Sequence, residues 1–379
     1  MSAATLKGMT WSHPRGYQPM LACSADWLAL TGVAIEWDRR SLQDFESFPV
    51  VDLARRYDLI VIDHPHVGQI TTDGCLAPLD APERAGDLAA LAAGSVGKSF
   101  PSYAWQGRQW AFPIDAATQV SAWRPDRLPA PPTRWGEVID IARRGEVVLP
   151  LKAPHSLMCF LALTGNLGRP CSVDRRQPFA DREAGTEALE AIRELAALID
   201  PACPTMDPIT ALDSLSAQDS RLTLAPLIYG YVNYSFAGFR AHRVAFADMP
   251  MIGALGPVGS ALGGTGIAVS AFSAHRAEAI DFAYWIAGGQ TQSTRYLVSG
   301  GQPGHAAAWE SEAANAATLD FYRATRQTLE GAQLRPRHDG YMPFQEAASA
   351  LVNEAVAGAI PIGVALDRLN DGFASSFKD

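Results

Sequence analysis

The stretch from Tyr103 to Leu128, YAWQGRQWAFPIDAATQVSAWRPDRL, constrains this chain more than any other. Gln106-Gly107 separates two aromatic-bearing runs and predicts a tight turn between two strands. The run after it, Trp110-Ala-Phe-Pro113, ends in a proline, which has no N–H to give to a ladder, and Asp115 follows at once. A second strand-like run, Thr118 to Trp123, leads into the polar turn Arg124-Pro125-Asp126. After a proline-rich break, Thr133-Arg134-Trp135-Gly136-Glu137 predicts a helix start with Thr133 as its N-cap.

At 379 residues the chain is too long for one small core, and two lobes are the natural expectation. Apolar residues make up 48% and charged residues 19%, the balance of a compact soluble protein. A net charge of −9 argues against a general nucleic-acid surface. No apolar run approaches the ~20 residues of a membrane helix, so the chain is not expected to be membrane-embedded. Met1 to Lys7 has no basic start, apolar centre or small-residue cleavage site. The expected location is therefore cytoplasmic for the sequence as it stands, or periplasmic if a leader has been removed. Five cysteines (Cys23, Cys75, Cys159, Cys171, Cys203) form an odd set without paired spacing, which suits reduced, buried thiols.

Along the chain, Leu6 to Trp11 reads as a strand, ended by the loop Ser12-His13-Pro14-Arg15-Gly16. Pro19 to Leu30 carries Met20, Cys23, Trp27 and Leu30 at helical spacing. Val33 to Trp37 is a second strand, followed by Asp38 to Ser41 and another helix. Asp58-Leu-Ile-Val-Ile-Asp63 is a third, apolar throughout, as in a parallel sheet covered on both faces. Strand alternating with helix is the doubly wound α/β pattern. Beyond Asp115 the sequence predicts helices from Thr133, near Met158 to Leu163 and over Glu183 to Ile199. Strands are predicted at Val147 to Leu149 and Leu222 to Pro226. Ala254 to Gly266 reads as a glycine-rich loop from which Gly266 to Val269 rejoins the first sheet. Helices follow at Ala274 to Ala287, Leu319 to Leu329, Phe344 to Ala357 and Ile362 to Phe373.

Several segments together resemble the maltose-binding-like family of ABC-transporter solute-binding proteins (extracellular solute-binding protein family 1). In that family a G-x-x-Y-x-x-P pattern carries the chain from the first lobe to the second, before a Tyr-Arg-x-Asp-like turn and a T-W-x-E helix start. Here these read Gly107-Arg-Gln-Trp-Ala-Phe-Pro113, Trp123-Arg124-Pro125-Asp126 and Thr133-Arg-Trp135-Gly-Glu137, with Trp110 and Trp123 where Tyr is commoner. Gly74-Cys-Leu-Ala-Pro-Leu-Asp80 resembles G-x-L-x-P-L-D. Ser273 to Ile286 resembles the S-x-x-x-E-A-A-x-x-F-x-x-W-L helix, Gly300-Gly-Gln-Pro303 the G-x-P loop, and Ile360 to Asp367 the closing helix. The resemblance implies a type II periplasmic-binding-protein fold, each lobe a doubly wound, mainly parallel sheet flanked by helices. It implies lobes of 1–112 plus 266–310 and 116–262 plus 315–379, with crossings near 113–116, 263–266 and 304–314.

In an open parallel sheet ligands bind outside the carboxyl ends of the strands. Three predicted strands end in His13-Pro14-Arg15, Arg39-Arg40 and His64-Pro65-His66. Their convergence would polarise a cleft positively and favour an anion held by arginine forks, with Arg15 and Arg40 in direct contact. Alternatively, Arg39 and Arg40 cap the sheet or pair with neighbouring carboxylates. Trp11, Trp37 and Tyr229 are the aromatic candidates; the family stacks sugar rings on such walls. Trp135 and Trp285 read as packing. Asp115, Gly264 and Thr265 complete the candidates, the last two through backbone N–H groups of Gly263-Gly264-Thr265-Gly266 that either face a ligand or form a flexible turn.

Other motifs carry less. His64-x-His66 with Asp63 and His13 does not supply a convincing metal set, and no metal or cofactor is expected. Gly94-Ser-Val-Gly97-Lys98-Ser99 lacks the first glycine of a phosphate loop, since Ala92 stands there. Cys159, Asp115 and Glu137 are the groups an enzyme would use; an apolar helix around Cys159 favours an inert thiol. The expected function is a monomeric binding protein that closes on one small anionic or polar organic molecule and docks on a permease if exported. The rival is a cytosolic carrier or enzyme acting on an acyl-CoA or phosphate ester.

Overall fold

A computed structural model of the chain describes residues 4–41 and 50–378. The start of the helix expected after Ser41 lies outside the described residues. The strands are β1 (Thr5–Trp11), β2 (Ala34–Arg40), β3 (Leu59–Ile62), β4 (Leu76–Ala77), β5 (Ala104–Trp105), β6 (Arg108–Gln109), β7 (Ala111–Trp123), β8 (Leu224–Tyr229), β9 (Ala245–Ala247) and β10 (Leu262–Ser270). Two compact units emerge: residues 1–116, 263–314 and 337–339 form unit 1, and residues 117–262, 315–336 and 340–379 form unit 2.

In unit 1, β1 is parallel to both β2 and β3. β10 runs antiparallel to β3, with Gly266 opposite Ile62 and Val269 opposite Leu59, and β4 pairs antiparallel with β10. All four residues of β3, LIVI, are buried, because helices and loops cover both faces of the sheet. Met9, Ile60, Ile62, Leu53, Val67, Tyr103 and Ala268 form the core on one side. The pairing of Gly8 with Trp37 shows why β1 carries a glycine: a Cβ there would lie 2.4 Å from the indole ring. Trp37 fills that space and donates its Nε1–H to Ser24 Oγ at 2.7 Å.

Several element ends differ from the sequence expectation. The first helix spans Pro14–Thr31, not Pro19 to Leu30, because a proline at the first helical position costs no hydrogen bond and has its φ already set. β2 continues through Arg40, so Arg39 and Arg40 are strand residues opposite Thr10 and Trp11. β7 is one strand of 13 residues running through Pro113 and Asp115, not two runs. Gly263 to Gly266 belongs to β10 and is not a turn. The helix after Thr133 spans Trp135–Ala142, with Arg134 at the cap position; Glu137 Oε2 accepts from the N–H groups of Thr133 and Arg134. Leu319 to Leu329 breaks into two helical turns, Phe321–Ala324 and Arg326–Glu330. Arg337 to Asp339 packs in unit 1, not with 315–379 as expected. Arg337 Nη1 donates to the carbonyls of Pro101, Ser102 and Ala104, and the bare Cα of Gly68 leaves room for the Arg337 carbonyl.

In unit 2, the ladders joining β7 to β8 and to β9 are antiparallel, and Val147 bridges Leu224 in parallel. The helix His155–Asn166 is apolar around most of its circumference and buried along its whole length. Helices Arg182–Ala196 and Tyr341–Val356 pack against it, and Ile362–Ser375 packs on those two. Phe179 sits 5.0 Å from both Phe344 and Phe373, ring centroid to ring centroid. Truncating one such ring to alanine costs ~3–5 kcal/mol.

Candidate functional site

β1 and β3 are parallel neighbours, so the segments after Trp11 and Ile62 leave the same sheet edge. After β1 the chain turns at once into a helix. His13 is its N-cap, with Nδ1 accepting the Arg15 N–H at 3.1 Å. The imidazole stacks on the Trp11 indole, centroids 5.4 Å apart and planes 15° from parallel. Gly16 is required beneath this pair, since a Cβ would lie 2.0 Å from Trp11 Nε1. The first helical turn aims Arg15 at β7. Its Nε donates to Asp115 Oδ2 at 2.7 Å and its Nη2 to Asp115 Oδ1. The guanidinium also lies 5.6 Å from the Trp11 ring centroid.

Asp115 is held rigidly. It bridges Pro303, and the Ala116 N–H donates to the Gln302 carbonyl at 2.9 Å while Gln302 Nε2 returns a bond to the Ala116 carbonyl. Gly264, at φ +95°, packs so closely that a Cβ would stand 2.3 Å from the Asp115 carbonyl oxygen. Thr265, next in β10, is buried. After β3, Asp63 caps a short 3-10 turn by accepting the His64 N–H at 2.8 Å. His64 meets the Tyr103 ring edge-on, and the Tyr103 hydroxyl donates to the Ile62 carbonyl at 3.3 Å. His66 is buried at the end of the same turn.

Trp11, His13, Arg15, Asp115 and Gly264 are thus in one cluster, with His64 and His66 following the neighbouring strand. Trp37 is not in it: that ring is core. Arg39 is exposed, with its guanidinium 4.6 Å from the Tyr17 ring centroid. Arg40, half-buried, lies in register with Trp11. Arg15, expected as an anion fork, gives two of its N–H donors to Asp115. Tyr229 belongs to unit 2, edge-on to His155 at 6.0 Å. Trp285, expected in the core, is only half-buried.

Unit 2, taken by itself, holds buried polar residues that sequence reasoning missed. His155 opens a buried helix, and burial pushes its imidazole down to about 4, leaving it neutral at pH 7. Arg335 donates to the Leu262 carbonyl and to Gln345 Oε1, each at 3.2 Å. Gln119 Nε2 donates to Cys159 Sγ at 3.5 Å. No local pattern marks His155 or Arg335: the Tyr229 ring and the Leu262 carbonyl that they meet lie more than seventy residues away in sequence.

All five cysteines are free and buried. Burial pushes the Cys159 thiol up to about 12, so no thiolate nucleophile exists there at neutral pH. Glu137 serves as a helix cap. Among the described residues no group of three or more His, Cys, Asp and Glu could hold a metal ion, and no helix is long and apolar enough to cross a membrane.

The family of bacterial extracellular solute-binding proteins matches residues 52–322. Among solved structures, the chain is similar to an ABC-transporter solute-binding protein of Agrobacterium radiobacter K84 in complex with ribitol, at 19% identity over 99% of both chains and a TM-score of 0.80. A solute-binding protein of Thermotoga lettingae TMO bound with α-D-tagatose is similar at 16% identity, over 99% of this chain and 100% of that one, with a TM-score of 0.82. Maltose-bound MalE3 of T. maritima is similar at 15% identity over 98% and 99%, with a TM-score of 0.80. At these identities the likeness is one of fold, the two-lobed maltose-binding type. A search of curated proteins finds no match.

Proposed function

The chain belongs to the bacterial extracellular solute-binding proteins, and from that premise we propose that it captures a small neutral polyhydroxy solute, a sugar or polyol, for delivery to an ABC-type permease. The single observation behind the choice of a neutral ligand is the Arg15–Asp115 pair. The one buried arginine at the end of β1 is matched by a buried carboxylate, so this edge offers hydrogen bonds and an aromatic–imidazole stack in place of a bare cation. Sugars and polyols suit such a surface: their hydroxyls both donate and accept, and their C–H faces lie on aromatic rings. The similar proteins solved with ribitol, tagatose and maltose support the same class.

The test is thermal unfolding with ribitol, tagatose and maltose against gluconate and ribose 5-phosphate, followed by calorimetry on the best stabiliser. A neutral ligand at a hundredfold excess over its Kd raises stability by about 2.7 kcal/mol. Trp11→Ala then weakens binding at least tenfold, ~1.4 kcal/mol. Stabilisation by the acid or phosphate alone would overturn the neutral assignment.

A further inference from the structure

The carboxylate that pairs with Arg15 is carried by β7, and within unit 1 the backbone on either side of it is paired with a short strap, residues 302–304. Asp115 bridges Pro303, the Gln302 carbonyl accepts the Ala116 N–H at 2.9 Å, and the Gly304 N–H lies 3.3 Å from the Ile114 carbonyl. The bare Cα of Gly304 permits this approach, since a Cβ there would stand 2.8 Å from the Pro113 carbonyl oxygen.

Two buried side chains hold the strap. Gln292, fully buried, accepts the same Gly304 N–H on Oε1 at 2.8 Å, the shorter of the two bonds, while its Nε2 donates to the Ile286 carbonyl at 2.9 Å. Trp309 Nε1–H donates to the Pro303 carbonyl at 2.7 Å. Gln292 begins a π turn, Gln292–Tyr296, in the helix that opens at Gly289. A π turn holds one residue more than an α turn, so it re-aims the side chains on either side of it. Its last residue, Tyr296, grips the same segment: its carbonyl accepts the Gly301 N–H at 3.1 Å, and a Cβ at Gly301 would stand 2.3 Å from its ring.

We propose that Gln292 is a positioning residue for solute capture. Its amide holds the strap against β7, so that the Asp115 carboxylate stays in register with the Arg15 guanidinium beside the Trp11–His13 stack. The consequence for affinity rests on the reading that this edge receives the solute; the effect on the ion pair does not.

The first readout is the Nε–H resonance of Arg15, identified by its loss in Arg15→Lys and recorded on the full chain without added solute. Gln292→Met removes the acceptor at nearly constant volume. Gln292→Asn draws it back by one methylene and is the milder variant if the methionine chain does not fold. Gln292→Glu keeps an oxygen facing Gly304. The methionine and asparagine variants are expected to move the Arg15 resonance and speed its exchange with water, and the glutamate variant to return it to the parent position. Ser293→Ala, whose lost hydroxyl bonds Gly289 and Gln290 instead of the strap, is expected to leave it in place. Ribitol, tagatose and maltose are then titrated by calorimetry. Any that binds the parent is expected to bind the methionine and asparagine variants about tenfold more weakly, the size of a coupling carried without ligand contact. An unmoved Arg15 resonance in a folded asparagine variant, or one displaced as far by glutamate as by methionine, would overturn the positioning role. Unchanged affinity in variants whose Arg15 signal has moved would overturn the role in capture. If none of the three solutes binds the parent, the sugar reading fails and the Arg15 resonance still decides whether Gln292 positions the pair.

Discussion

Arg15 and Asp115, 100 residues apart in sequence, meet in a two-pronged ion pair in which both residues are nearly inaccessible, at 3% and 2% exposure. The pair ties the first helix of unit 1 to β7 two residues before that strand enters unit 2.

Removing either partner leaves a buried charge uncompensated. Arg15→Ala and Asp115→Ala are each expected to destabilise the fold by ~3–5 kcal/mol. The double replacement Arg15→Met with Asp115→Leu should cost less than the sum of the singles, because no orphan charge remains. Urea unfolding of the three variants measures this; strict additivity would show that the two groups do not act as a pair.

His155 makes stability depend on pH. Its folded pKa, pushed down to about 4 by burial, lies below the ordinary value of 6.5. Between these values the unfolded chain takes up a proton that the folded chain does not, so stability falls as pH drops through this window. The full effect is on the order of 3 kcal/mol. His155→Leu should flatten this part of the profile. Urea unfolding at pH 7 and pH 4.5 checks it, and an unchanged slope in the variant would exclude His155 as the source.

The thiols should be silent until the chain unfolds. Burial holds Cys23, Cys159 and Cys171 near 12 and Cys75 near 11. A chromogenic disulfide reagent at pH 8 is expected to find almost no reactive thiol in the native protein and five after denaturation. Fast reaction of any one thiol in the native state would contradict this burial.

Gly264→Ala should cost at least ~2 kcal/mol, since it adds the left-handed penalty to a collision with the Asp115 carbonyl. Gly107→Asn is the control. Its φ is +75° but nothing lies within 4 Å of a Cβ there, and asparagine tolerates this conformation. Its thermal midpoint should stay near that of the parent.

The sequence shows those features that depend on neighbours along the chain. The all-apolar β3 is visible because burial on both faces leaves no polar position. The Gln106-Gly107 turn is visible because both residues adopt positive φ, at 49° and 75°, which suits a two-residue hairpin loop. Arg15 and Asp115 are each recognisable as candidates, but their pairing is not, because only the tertiary fold brings β7 to the end of β1. Trp37 looks like a ligand wall until the pairing with Gly8 is known, which turns the same ring into core. The loop assigned to Ser12 to Gly16 fails for a related reason: Pro14 and Gly16 suggest irregular chain. The proline instead opens a helix, and the glycine makes room for Trp11.

Arg337 to Asp339 sets the order in which the molecule can be made. The carbonyls of Pro101, Ser102 and Ala104 receive their donor from a residue synthesised more than two hundred positions later. Unit 1 therefore cannot be finished until Arg337 has been made, long after its first sheet strands. Any nascent chain stopped short of Arg337 carries an incomplete first unit, with the carbonyls of Pro101, Ser102 and Ala104 lacking this donor.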